Sequence, residues 1–165
     1  KEIENICGGK FQFYGGGRVT FKSTNDELSA NAMAEGYRKI GMLARLLETG
    51  SIHPGPGGTL FWDEPEANMN PKLLKLLVEI ILEMARNGQQ IVIATHDYVL
   101  LKWFDLLMDK DKGDHVRFHV LTQTKNGIKD DFTDSYQAIP ENAIAKTFGE
   151  LYDEEIKRSL GGNQK

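Results

Sequence analysis

A single cysteine, Cys7, in 165 residues excludes an intrachain disulfide and fits a reducing compartment; alone, it reads as a small, semi-buried hydrophobe. Long apolar runs are also missing. Nothing approaches the roughly 20 residues that a membrane-spanning helix needs, and no leader with a basic start, apolar middle and small-residue end is visible. A soluble, cytoplasmic chain with no membrane partner is the expectation. Charge of one sign is not in excess either: 20 basic against 24 acidic residues, interspersed, give a net charge of −4. That removes a global electrostatic case for nucleic acid and leaves a local basic patch open. There is no internal repeat and no low-complexity tract, and the length is about that of one domain able to bury a core.

What is present is an ordered series of periodic segments. Phe11-Gln12-Phe13-Tyr14 and Val19-Thr20-Phe21-Lys22 alternate around Gly15-Gly16-Gly17, a hairpin signal, and residues 23–27 read as a polar connection. A helix opens near Ala34 and runs to about Glu48, with Tyr37, Ile40, Leu43, Ala44 and Leu47 at helical spacing. A Gly/Pro-rich loop over residues 50–58 holds His53, expected to be solvated. A strand over 59–63 follows. Pro71 then begins a helix at a favoured first-turn position, with Leu73, Leu77, Ile80 and Met84 on one face and Gly88 near its end. Residues 91–94 form a second apolar, β-branched run, after which Asp97 is placed to cap a helix through Met108. Strand, helix, strand, helix with buried strands implies a parallel sheet covered by helices, with active residues at the carboxyl ends of the strands.

The first parallel strand carries the chemistry. Thr59-Leu60-Phe61-Trp62 drives straight into Asp63-Glu64 and a polar turn, Pro65-Glu66-Ala67-Asn68-Met69-Asn70. Two carboxylates at a strand end suit a nucleotide hydrolase: Asp63 to hold magnesium, Glu64 to orient the attacking water. The plain alternative is a strand ending in a charged turn. The second strand ends in Thr95-His96, where His96 is either a satisfied strand-end histidine or a group that stabilises charge on a γ-phosphate. Upstream, a helix N-terminus at Ala34-Glu35-Gly36-Tyr37 offers unpaired amides to an anion.

In this order the three segments resemble the C-terminal half of an ATP-binding-cassette (ABC) ATPase over roughly residues 28–110. The type is that of SMC-like, recombination-type, overcoming-lysogenisation-defect and AbiEii-type ATPases. Trp62-Asp63-Glu64-Pro65 resembles the Walker B motif with its catalytic glutamate. Asn68-Met69-Asn70 resembles the D-loop, His96 the switch histidine, and residues 34–37 the signature that contacts a nucleotide held by the opposing subunit. The resemblance implies an α/β, P-loop NTPase-like fold: a cassette half with a parallel sheet flanked by helices, an N-terminal β-hairpin, and a C-terminal strand and helix.

There are departures. Ala34 stands where the signature has serine, and Glu35 where it has glycine; Glu35 is also placed to cap the helix or to pair with Arg38 or Lys39. Only Gly36 matches strictly, and its replacement by aspartate is expected to leave the subunit folded while blocking dimerisation. Asn70, ahead of Pro71, is equally a helix cap, and Asn68 a turn residue. No Gly-x-x-x-x-Gly-Lys-Ser/Thr phosphate loop exists: Gly8-Gly9-Lys10 has Glu4 in the first glycine position and Phe11 in the hydroxyl position, and reads as a turn. The chain also starts without methionine. Residues 1–165 are therefore expected to be the C-terminal part of one ABC-type ATPase domain, with the Walker A lobe and the Q-loop glutamine upstream.

The tail carries less. His115 to Leu121 alternates as a half-exposed strand that would put His115 and His119 on one face, weakly inviting a metal; Asn126-Gly127 marks a turn, and residues 141–160 a helix.

By resemblance, ATP and Mg2+ are the ligands, and two subunits sandwich ATP as a homodimer and hydrolyse it. DNA, a nuclease or an effector protein is a possible further partner, in DNA maintenance or phage defence. A non-hydrolytic ATP-gated clamp or scaffold is the alternative. A transporter subunit fits less well, since the signature departs and residues 66–70 lack the transporter D-loop sequence.

Overall fold

The computed structural model describes residues 8–29, 31–52 and 58–161, in two compact units, residues 1–95 and 96–165. Cys7 and His53 lie outside the described residues.

In the first unit, β1 (Gly9–Phe13) and β2 (Val19–Ser23) pair antiparallel with Phe13 opposite Val19, joined by a tight turn at Gly15–Gly17. Gly9 and Lys10 thus belong to a strand. A Cβ on Gly9 would meet the Lys22 carbonyl at 2.5 Å, so Gly8-Gly9-Lys10 is a strand entry and no phosphate cradle. A third strand, β3 (Glu27–Ser29), continues the sheet from β2. It starts at the end of the expected polar connection, at Glu27, and is not expected from the sequence, because its three residues are all exposed and show no apolar period. Helix α1 (Glu35–Glu48) covers this sheet. Phe11 packs on Phe21 with ring centres 5.0 Å apart, Phe21 meets the edge of Tyr37 at 5.4 Å, and a Cβ on Gly41 would strike the Phe11 ring at 2.6 Å. Only glycine lets the helix approach so closely.

Strands β4 (Thr59–Asp63) and β5 (Gln90–Ala94) form a parallel pair in the register Phe61 to Val92 and Asp63 to Ala94. The connecting helix α2 (Pro71–Arg86) is the core of the unit. Leu73, Leu77 and Met84 are buried as expected, but so are Leu74, Leu76, Val78, Ile81 and Leu82, while Ile80 is only half-buried. A helix apolar over most of its circumference is buried on more than one face, which a single-stripe reading underestimates. Each such side chain contributes about 1.5–3 kcal/mol on burial. The sheet is unequal in its two faces. Leu60, Trp62, Ile91 and Ile93 are half-buried, whereas Phe61 is 75% and Val92 44% exposed on the other side.

The second unit has helix α3 (Tyr98–Leu107), the antiparallel hairpin β6 (Phe118–Thr124) and β7 (Gly127–Thr133), and helix α4 (Ala143–Ser159). Asp97 accepts from Leu100 N at 2.6 Å and Asn142 from Ala145 N at 2.9 Å, so both helices start on side-chain caps. Strand β6 starts at Phe118. His115 therefore precedes it and shares no strand face with His119. His115 Nε2 lies 3.3 Å from Asp134, and His119 Nδ1 3.0 Å from Asp130, so each histidine has its own aspartate. Among the described residues no group of three or more His, Cys, Asp or Glu is placed to hold a metal, and no helix is long and apolar enough to cross a membrane.

Candidate functional site

Strand β4 brings Asp63 to its carboxyl end beside Ala94, and the ladder extends one residue further, with Glu64 N donating to Ala94 O at 2.8 Å. Both acidic side chains are exposed. Glu64 has φ of +43° and Asn68 +59°, conformations that cost a residue with a Cβ and that persist only where surroundings impose them. Asparagine tolerates that region; glutamate does so at greater cost.

Several contacts impose the turn. Ala67 N donates to Glu64 O at 3.1 Å and Met69 N to Glu66 O at 2.9 Å. The Pro65 side chain is fully buried. Glu66 is 8% exposed, and its Oε1 accepts a very short hydrogen bond from Thr95 Oγ1. Its Oε2 is buried without a hydrogen-bond partner. The turn that follows Glu64 is therefore fastened to the residue that follows β5. Asn70 then caps α2, its Oδ1 accepting from Lys72 N at 3.0 Å.

The helix start at residues 34–37 lies against this same turn. Ala34 occupies the cap position of α1 without a side-chain cap bond, and Glu35 is the first helical residue. Gly36 is buried: a Cβ there would lie 3.1 Å from Met69 Cγ, 3.2 Å from Met69 Cα and 3.4 Å from Leu73 Cδ1. The glycine thus has a packing reason within the chain, and an aspartate there would press on Met69 of the same chain. Tyr37 turns its ring to Phe21. Lys39 Nζ donates to Ala67 O at 2.7 Å and approaches Glu64 O at 3.5 Å.

One unit thus unites Asp63, Glu64, Asn68, Asn70 and the 34–37 helix start. His96 is the first residue of the second unit and is exposed. Sequence reasoning missed Lys39 and Glu66. The signal for Lys39 was available: it falls on the face of Gly36, Ile40 and Leu43, a charge among apolar positions.

Residues 20–102, which hold all of these motifs, match the family profile described as "AAA domain, putative AbiEii toxin, Type IV TA system". The chain belongs to this AAA-domain family. No curated protein matches it. Among solved structures it is similar to one described as "Structural biochemistry of ATP-driven dimerization and DNA stimulated activation of SMC ATPases", with a TM-score of 0.60 and 15% identity over 93% of this chain and 88% of that one. It is also similar to a Smc head domain with an extended coiled coil, bound to the C-terminal domain of ScpA, from Pyrococcus furiosus: TM-score 0.57, 16% identity, 93% of this chain and 36% of that one. A SmcHead bound to the C-winged helix domain of ScpA gives TM-score 0.59, 17% identity, 84% and 41%. At these identities the likeness is one of fold: a mixed α/β, P-loop ATPase fold of the SMC-head kind with parallel strands and helices. The chain spans well under half of the last two.

An AAA domain of this ATPase type implies a nucleotide and magnesium. The chemistry of the donor set fits the ion: Asp63 and Glu64 are exposed carboxylates at a strand end, and magnesium is commonly held by one or two carboxylates together with substrate phosphates.

Proposed function

We propose that this AAA domain binds and hydrolyses ATP as part of a dimer in which each nucleotide is shared between two subunits. The observation that carries the reading is the strand-end pair Asp63-Glu64, with Glu64 held at φ +43° in a turn fastened on both sides. Asp63 would hold a magnesium ion, which would supply neutralisation of charge on the phosphates. Glu64 orients and deprotonates the attacking water, and His96 donates a hydrogen bond to the γ-phosphate. The α1 start at residues 34–37 faces the nucleotide of the partner subunit, Glu35 included, with Asn68 and the free amide of Asn70 beside it. A carboxylate facing phosphate is tolerable only if Glu35 turns outward and the backbone amides make the contact.

The phosphate-binding loop is supplied by residues outside the described sequence pattern, and the exposed Phe61–Val92 side of the sheet is the surface on which that lobe seats. An apolar strand face of this kind is stabilised when covered. Both compact units belong to one ATPase domain, a reading supported by a single SMC-type structure aligning with 93% of the chain. A cytoplasmic location follows from the work proposed. What hydrolysis drives is a DNA-linked or defence process, by family analogy.

The test is Glu64→Gln in the full-length protein. Magnesium-dependent ATP binding should persist while single-turnover hydrolysis slows by roughly 10²–10⁴-fold, the usual cost of losing a general base. Asp63→Ala should instead weaken the dependence on magnesium. An unchanged single-turnover rate in Glu64→Gln would remove Glu64 from the mechanism.

A further inference from the structure

We infer that Lys39 is a positioning residue for hydrolysis, holding the Glu64 carboxylate through the backbone of the turn that follows it. The inference rests on the reading of Glu64 as the group that acts on water.

The argument starts from strain. Glu64 and Asn68 are the two non-glycine residues with positive φ among those described, and they bracket a turn of only five residues. A pair of left-handed residues costs on the order of 1–3 kcal/mol each, so an unrestrained turn would relax and swing the Glu64 side chain with it. Internal hydrogen bonds from Ala67 N and Met69 N shape the turn but do not fix it to the body of the protein.

Two side chains do. On one side Thr95 holds Glu66, beyond the end of β5. On the other, Lys39 reaches from α1 to Ala67 O at 2.7 Å, with Glu64 O at 3.5 Å. An ammonium has three donors and no acceptor, so it can bind converging carbonyls simultaneously, and the part-buried setting strengthens such a bond. One of these carbonyls belongs to Glu64 itself, which also accepts from Ala67 N across the turn, and the other belongs to Ala67. Lys39 touches no part of the proposed reacting centre through its own charge; it sets the backbone from which Glu64 projects. Misplacement of a reacting group by about 1 Å costs on the order of 10²-fold in rate.

The experiment compares Lys39→Met, Lys39→Gln and Lys39→Arg in the full-length protein, each alone and with Glu64→Gln, by ATP affinity, single-turnover hydrolysis and thermal unfolding. Lys39→Met should lower the single-turnover rate by roughly 10–10²-fold while ATP affinity stays within about threefold, and Lys39→Arg should recover most of the rate. In the Glu64→Gln background Lys39→Met should add less than about twofold, because the group it positions is already gone. A general structural role would lower the rate equally in both backgrounds. Undiminished hydrolysis by Lys39→Met, an equal loss in the two backgrounds, or failure of both Lys39→Met and Lys39→Gln to fold would each overturn the inference. If Glu64→Gln alone hydrolyses ATP normally, it is the functional reading that fails.

Discussion

Gly36 and Met69 meet so closely that a methyl group on Gly36 would stand 3.1 Å from Met69 Cγ and 3.2 Å from its Cα. The side-chain carbon can rotate away, but the α-carbon is fixed in the turn between Asn68 and the Asn70 cap. The signature-like helix start and the strand-end turn are thus in van der Waals contact within one chain.

That contact decides how residue 36 can be used as a probe. Replacing a helical glycine by alanine normally stabilises by up to about 1 kcal/mol, whereas forcing a methyl into a filled space costs about 1–3 kcal/mol. The clash wins here, since one of its partners is backbone. Gly36→Ala should therefore destabilise by about 1 kcal/mol in urea unfolding, and Gly36→Asp by more, because it also buries a carboxylate. Loss of dimerisation in Gly36→Asp would then report misfolding as readily as a blocked phosphate. A Gly36→Ala protein as stable as the parent would show that Met69 yields.

Thr95 and Glu66 provide a second stability test. With Oε2 already unpartnered, Thr95→Val leaves the buried Glu66 carboxylate with no side-chain donor from Thr95 on either oxygen. Orphaning a buried acceptor costs about 1–3 kcal/mol, and more when it is charged. Thr95→Val should lower the urea-unfolding free energy by that amount. Adding Glu66→Met should recover part of it, because removing both polar partners costs less than removing one. A double variant no more stable than Thr95→Val would mean that Glu66 has support besides Thr95.

The parallel strands, the helix between them, and the caps at Asn70 and Asp97 follow from short-range pattern: β-branched runs, helical spacing and a polar residue at the right offset. Strand β7 does not, because Gly-Ile-Lys-Asp-Asp-Phe-Thr has no apolar side to bury and pairs through its backbone with β6. Strand β3 is hidden for the same reason. The expectation of buried parallel strands covered by helices met a sheet with Phe61 and Val92 exposed, since an apolar run records what a surface favours and not which residues cover it. At the site, Asp63 and Glu64 stand at the strand end that pattern alone indicates. The contacts that give Lys39 and Glu66 their roles, with Ala67 and Thr95, span 28 and 29 residues of sequence, so local spacing can mark Lys39 as a charge on an apolar face but cannot name its partner.

The last prediction concerns the second unit, where Arg117 donates to Asp134 from Nε at 2.8 Å and from Nη2 at 3.2 Å while resting over the Phe132 ring. Hydrogen bonds from Arg117, then from His115, lower the Asp134 carboxyl from its ordinary 3.8 to about 2. A carboxyl lowered on folding contributes stability that is fully present above its unfolded value and is lost as the pH falls through the folded one. The window therefore runs from about pH 4 down to about pH 2. Carboxyl carbon shifts followed by NMR should show Asp134 titrating near the bottom of that window, and Arg117→Gln should move it back toward the ordinary range. Because the group is exposed, salt at about 1 M should shrink the difference between the two proteins. If Asp134 titrates alike in both, the bidentate pair does not hold in solution, and the link from the approach to β6 to the end of β7 rests on the backbone ladder and the His115–Asp134 contact.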